Sequence, residues 1–271
     1  MPESMSVYPV AATRPVAAWM GGKRNLASTI CAEIEKIPHS LYAEPFGGMG
    51  GIFFRRRVRP EGEVINDLSR DVVTLFRMLQ LHYTPFVEMI RWQLSSRAEF
   101  ERLAASDPAT LTDLERAARF LYLQRLSFGG KVVKQSFGVV YEEGARFDIT
   151  KLMPMLEEVH DRLSGVVIEC LGYAEFIGRY DRPGTLFHLD PPYWGCEGDY
   201  GAGMFGPEDF AHLADALRGI KGRFLLSLND RPEVRKTFAG FRIKPVVTTY
   251  TLAGGKGRKA REVLISGGGR P

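Results

Sequence analysis

The run Gly184-Thr185-Leu186-Phe187-His188-Leu189 is followed directly by Asp190-Pro191-Pro192-Tyr193. The short apolar stretch reads as a buried strand. The paired prolines forbid its continuation, because each lacks an N–H donor and fixes φ. The chain must therefore leave a sheet at Asp190. A carboxylate, a backbone carbonyl with no competing N–H neighbour and an aromatic ring then stand together at a strand's C-terminal end. In open α/β sheets that edge is where ligands sit.

These groups suit a flat ring that carries an exocyclic amine. Asp190 and the Pro191 carbonyl can each accept one hydrogen of an NH2 group, and Tyr193 can stack on the ring. Accepting both hydrogens draws the lone pair out of conjugation and aims it at an electrophile. A strand-to-loop turn with a packed tyrosine explains the same four residues equally well, so the rest of the chain has to decide.

The pattern along the chain is α/β. Leu41 to Ala43 reads as a strand and leads into Glu44-Pro45-Phe46-Gly47-Gly48-Met49-Gly50-Gly51, with a helix expected to follow from Ile52. Glu63 to Asp67 reads as a second strand ending in a carboxylate. Strand, glycine turn, helix, strand and acid form the first half of a nucleotide-binding unit. From Val72 to Leu126 the periodicity is helical, with breaks, and a loop runs over 127–149. The α/β pattern then resumes: strands at 166–170, 184–189 and 224–228, helices at 152–163, 174–179 and 208–217, and a closing hairpin over 242–251 and 262–266. The expected architecture is a Rossmann-like sheet in which 18–67 and 150–271 enclose a mainly helical insert, 68–149, behind an N-terminal tail, 1–17.

Composition narrows the class. With 271 residues, 45% of them hydrophobic, the chain can bury a large core. Three scattered cysteines and five scattered histidines form neither a disulfide framework nor a zinc cluster, so no metal site is expected. No apolar run reaches membrane-spanning length and no secretory leader is evident, which points to a cytoplasmic protein. The net charge of +4 permits an anionic partner without demanding one.

Glycines after a strand let backbone amides approach a ligand closely. Asp67 follows Gly47 at about the separation at which an acid meets a ribose hydroxyl in such units. Trp19-Met20-Gly21-Gly22-Lys23 adds a stacking face, a close backbone approach and a cation.

Taken in order, these segments resemble the Dam-type DNA adenine-N6 methyltransferases of the alpha arrangement, in which cofactor motif, recognition region and catalytic motif follow one another. The matching residues are Trp19 to Lys23, Glu44 to Gly51, Asn66-Asp67-Leu68, Phe120 to Arg125 and Asp190 to Tyr193, with Phe224 to Asn229 and Gly254 to Ile265 fitting as well. The resemblance spans about residues 18–266. It implies S-adenosyl-L-methionine as methyl donor and S-adenosyl-L-homocysteine as product, with no metal. It implies catalytic roles for Asp190, Pro191, Pro192 and Tyr193. A donor site is implied at Trp19, Gly22, Lys23, Glu44, Pro45, Phe46, Gly47, Gly48, Gly50, Asp67 and Asp190, with Phe176 against the donor's adenine. The substrate implied is adenine in double-stranded DNA, turned out of the base stack to reach the donor, in the cytoplasm, at the nucleoid, of a bacterium or its phage.

The recognition segment departs from the family. Gln124-Arg125-Leu126-Ser127-Phe128-Gly129-Gly130-Lys131-Val132-Val133 has Gly129 where an asparagine is common and Val133 where a base-reading arginine is common, so GATC is not implied as the target. Phe128 can act as a wedge in the base stack. DNA contacts are expected from Arg125, Phe128, Gly129, Lys131 and Lys134, and from Lys256, Arg258 and Lys259 in the C-terminal basic loop. The run Arg55-Arg56-Arg57-Val58-Arg59 reads as a solvated face. The same pocket chemistry would serve cytosine N4, an RNA adenine or a glutamine amide, and a catalytically silent DNA-binding relative would keep the fold. One site acting on one base needs only a monomer, and a restriction endonuclease partner is compatible with the sequence.

Overall fold

A computed structural model describes residues 6–138, 144, 146–201, 203–250 and 258–269, with the side chains of 250 and 258 excepted. Its regular elements are β1 (Tyr8–Pro9), α1 (Ala27–Glu35), β2 (Leu41–Glu44), β3 (Val58–Arg59), β4 (Gly62–Asn66), α2 (Arg70–Leu81), α3 (Tyr83–Ile90), α4 (Arg97–Ala105), α5 (Asp113–Leu126), α6 (Ile149–Leu163), β5 (Val167–Glu169), α7 (Tyr173–Tyr180), β6 (Thr185–Leu189), α8 (Asp209–Arg218), β7 (Arg223–Asn229), α9 (Pro232–Thr237), β8 (Arg242–Tyr250) and β9 (Arg258–Gly268).

Seven strands form one sheet in the order β5-β4-β2-β6-β7-β9-β8. The first five are parallel, and β9 runs antiparallel between β7 and β8. The chain moves outward from β2 through β4 to β5, then returns to place β6 on the other side of β2. That reversal is a topological switch point, and it opens a crevice beyond the C-terminal ends of β2 and β6. The last residue of β2, Glu44, and the first residue after β6, Asp190, are therefore delivered to one place.

Alternate residues of each strand serve opposite faces. Tyr42, Ile65, Leu186, Leu225 and Leu264 join the core shared with α1 to α6. Ala43, Val64, Phe187, Leu226 and Val263 join the core under α7, α8 and α9. Every residue of β6 is buried, since both faces of the strand are covered, and three of the five are large and apolar. The helices between β4 and β5 build no core of their own; α2 packs on α5, α6 and β5, continuous with the sheet's first face. Thr112 and Glu115 form a capping box that starts α5, which then runs straight into the recognition segment.

Three expectations are corrected. The helix after the glycine turn is a single 3-10 turn, Phe53–Arg55, because Arg56 turns extended and inward to Glu63. Residues 6–17 are docked rather than a free tail: β1 pairs with β3, Thr13 N–H donates to the Phe54 carbonyl, and Val16 and Ala17 are buried. The basic run is not one solvated face either. Arg56 is buried with Arg162 around Glu63, at 2.6 Å each, and lies over the Tyr42 ring. Arg55 faces the crevice.

Candidate active site

The crevice at the switch point is a cavity of about 750 Å³. Its walls come from the Trp19–Arg24 turn, the loop after β2, Asp67 after β4, the start of α7, the end of β6, Tyr200 and Gly203 to Phe205. Most of these segments, far apart in sequence, meet here because they follow strands that end at this edge; the Trp19 turn is held against them by Gln124, which donates to the Ala18 carbonyl.

Asn66 ties these strand ends together. Its Nδ2 donates to the Pro45 and Leu171 carbonyls at 2.9 Å each, and its Oδ1 accepts from Leu171 N–H at 2.7 Å. Asp67, the next residue, accepts from Gly48 N–H and Ser69 N–H, each at 2.7 Å. Burial pushes the Asp67 pKa up, against the lowering effect of those two donors. Each oxygen keeps a lone pair for a further donor. Gly48 has φ +47°, and a Cβ there would lie 2.7 Å from Trp19 Nε1. Only glycine lets the backbone pass between the indole and the carboxylate.

Trp19 is held edge-on to Phe120 at 6.3 Å, and Phe46 stacks on Tyr173 at 5.6 Å. Glu44 is buried, accepts from the Tyr42 hydroxyl and lies 3.4 Å from His188 Nδ1. His188 also lines the cavity, and among the described residues its Nε2 has no partner.

At the end of β6, Asp190 Oδ1 meets the buried Lys23 ammonium at 2.5 Å and accepts from Ser227 at 2.9 Å. Asp190 Oδ2 and the Pro191 carbonyl accept no hydrogen bond from the described residues. The Tyr193 hydroxyl donates to the buried Glu262, and Lys23 Nζ sits 4.3 Å from the centre of its ring. Asn229 exchanges two bonds with the Trp194 backbone, at 3.0 Å each, and fixes the chain after the tetrapeptide.

The expected donor residues Trp19, Gly22, Lys23, Glu44 to Gly48, Asp67 and Asp190 line one cavity, together with Pro192. Pro191 and Tyr193 stand just outside its wall. Gly50 and Phe176 are placed elsewhere. Gly50 is pressed against Phe54, where a Cβ would meet the ring at 2.3 Å. Phe176 is fully buried against Tyr180, one helical turn beyond Tyr173, which takes the place at the cavity.

The recognition segment lies along the same opening. Gln124 donates to the Ala18 and Gly130 carbonyls, at 2.8 and 2.9 Å, and so holds it to the Trp19 turn. Arg125 is turned inward as a brace, donating to the Val16 and Arg146 carbonyls, although part of it reaches the cavity wall. Phe128 is 52% exposed. Gly129 has φ +69° with open space at its Cβ position. Lys131 and Lys134 are exposed, and Lys134 takes the left-handed conformation at φ +49°. Lys259 is exposed on β9; Lys256 and the Arg258 side chain lie outside the described residues.

The residues that the sequence reading passed over are the supports: Ser227, Glu262, His188 and Tyr200. Tyr200 donates to the Met20 carbonyl at 3.0 Å, and burial beside Asp190 pushes its hydroxyl pKa well up. Ser227 was detectable only as a polar residue in an apolar run, and Glu262 as the acid at the junction of a basic run and an apolar one.

A family model described as D12 class N6 adenine-specific DNA methyltransferase matches residues 19–252. The chain belongs to this class. Relatives of this methyltransferase include the type II methyltransferase M1.LlaDCHI of Lactococcus lactis subsp. cremoris, 27% identical over 88% of this chain and 89% of that protein. The DNA adenine methylase of Haemophilus influenzae is 23% identical over 99% of both chains. The type II methyltransferase M.CviBI of a Paramecium bursaria Chlorella virus is 22% identical over 84% and 87%. Membership makes the chain an enzyme of adenine-N6 methylation in DNA. Among the described residues no helix is long and apolar enough to cross a membrane, and no group of metal-binding side chains is found.

Proposed function

We propose that this methyltransferase takes the methyl group of S-adenosyl-L-methionine and transfers it to N6 of an adenine turned out of double-stranded DNA. The observation that carries this reading is the pair of acceptors left open at the end of β6. Asp190 Oδ1 is engaged by Lys23 and Ser227, which leaves Oδ2 for one amine hydrogen and the Pro191 carbonyl for the other. Held this way, the N6 lone pair points across the crevice toward the loop after β2, and alignment of this kind is a large part of the rate.

The donor pocket fits the sulfonium nucleoside on this chain's own features. Asp67 has free lone pairs for ribose hydroxyls, the Gly47–Gly48 backbone is bare, and Trp19, Phe46 and Tyr173 give apolar walls. When bound, the donor supplies an electrophilic methyl group on a positively charged sulfur. Asp190 then stabilises the positive charge that grows on N6 during transfer. Lys23 and Ser227 aim that carboxylate. Tyr193, its hydroxyl anchored by Glu262, stacks on the adenine ring. The N6 proton becomes acidic only once the methyl group is on, so no strong base is needed.

Phe128, with Lys131 and Lys134, meets the duplex and helps open it. Lys256, Arg258 and Lys259 contact phosphate from the far hairpin. Segment 68–149 is the target-reading part, and the enzyme acts on cytoplasmic, nucleoid DNA.

The test is to incubate mixed genomic DNA with methyl-labelled donor, digest to nucleosides and map the modified bases. Label in N6-methyladenine at a defined sequence is expected. Label in N4-methylcytosine, or none, refutes the reading.

A further inference from the structure

Arg14, Arg24, Arg55 and Arg125 all line one side of the cavity. Arg125 is occupied by backbone carbonyls. The other three differ. Among the described residues none of them makes an ion pair. Arg14 and Arg24 are exposed, while Arg55 is half-buried with one Nη donating to the Gly51 carbonyl at 2.5 Å. They are close enough to repel: after burial, the charges of Arg24 and Arg14 are what lower the Arg55 pKa. Like charges gathered without a counter-charge create a strong local potential for an anion.

The position of the cluster narrows the anion. Lys23, beside Arg24 in the chain, is paired with Asp190, so Arg24 stands about 3.8 Å of backbone from the residue that grips the acceptor carboxylate. On its other side, Asn25 Nδ2 donates to the Thr249 carbonyl at 2.5 Å, and Thr249 is paired with Lys259. The positive rim therefore runs from Arg14 and Arg55 through Arg24 toward Lys259 on β9. A continuous rim fits a chain of phosphates better than one isolated carboxylate.

We infer that Arg14, Arg24 and Arg55 form a phosphodiester site, gripping the backbone of the strand whose adenine enters the cavity. The inference depends on the reading of this cavity as the site of adenine methylation in DNA. The guanidiniums hold the sugar–phosphate at the rim while the base goes inward to Asp190. Phosphate contacts of this kind fix register and orientation without reading sequence.

The experiment compares the full-length enzyme with Arg14→Gln/Arg24→Gln, with the triple variant adding Arg55→Gln, and with Arg24→Lys. DNA affinity is measured by fluorescence anisotropy between about 50 and 300 mM salt, and donor affinity by calorimetry without DNA. Each phosphate contact removed is expected to flatten the log affinity–log salt slope by about 0.9, with donor affinity changed less than about twofold and Arg24→Lys keeping the slope. Slopes equal to the wild type overturn the inference. Loss of donor affinity with DNA affinity intact also overturns it, and assigns the cluster to the donor's carboxylate. If Arg55→Gln does not fold, the exposed pair Arg14 and Arg24 decides alone. A wild-type enzyme without salt-dependent DNA affinity defeats the functional reading itself, and this inference with it.

Discussion

The ends of β2, β4 and β6 and the recognition segment after α5 border the same cavity and are built in opposite ways. At the strand ends, polar groups are tied into the frame: Asn66 joins three segments, Asp67 takes two backbone donors, and Asp190 is held by Lys23 and Ser227. Glycines there are wedged against neighbours, as Gly48 is against Trp19. In the recognition segment the base of the loop is tied, by Gln124 and by the Ser127–Phe137 bridge, while Phe128 lies open and Gly129 has nothing near its Cβ position. A packed frame fixes which atom reacts, because the reacting groups must be held within a fraction of an ångström. An open loop can change which base is chosen without disturbing that frame.

The comparison breaks most readily at Asp190. Asp190→Ala is expected to lower the single-turnover methylation rate by about 10²–10³-fold, the scale for losing a preorganised charge-stabilising group. Rapid-quench assays on saturated enzyme measure it. Gly48→Ala comes next: the strained φ and the indole contact should reduce thermal stability by about 1–3 kcal/mol, with weaker donor binding. Differential scanning calorimetry and donor titration report both effects.

Asp67 sharpens the donor side through pH. Its pKa is raised in the folded protein, so its contribution to stability is full at low pH and declines as pH rises through that pKa. In the proposed donor site its ionised form is the acceptor for the ribose hydroxyls. Donor affinity should therefore fall on acidification, beginning above the ordinary aspartate value of 3.8. Calorimetric titrations across pH, with Asp67→Asn giving weak and flat affinity, check this. The smallest effect expected is Tyr193→Phe, which keeps the ring and loses its bond to Glu262. About 1 kcal/mol, or roughly fivefold in rate, is the scale for one hydrogen bond, read in the same quench assay.

The strands and the larger helices were legible because their apolar periods are clean, and the cavity followed from glycines and acids placed just after strands. The short pairing of β1 with β3 was not, since two-residue strands carry no period. The helix expected from Ile52 failed because the inward pull of Arg56 to Glu63 is a contact made in space. Phe176 was misplaced for a similar reason. Tyr173 rather than Phe176 reaches the cavity, and helix phase against the sheet decides that. Ser227 and Glu262 escaped because a polar side chain on a strand declares its partner only when the sheet is assembled.

The division between frame and loop is tested most directly by a duplex in which the target adenine faces an abasic site, so that leaving the stack costs little. On normal DNA both Phe128→Ala and Asp190→Ala are expected to be slow. On the abasic duplex Phe128→Ala should return to within about threefold of wild type in single turnover, while Asp190→Ala should remain about 100-fold slow or worse. Recovery of Asp190→Ala on that duplex, or no recovery of Phe128→Ala, would contradict the account.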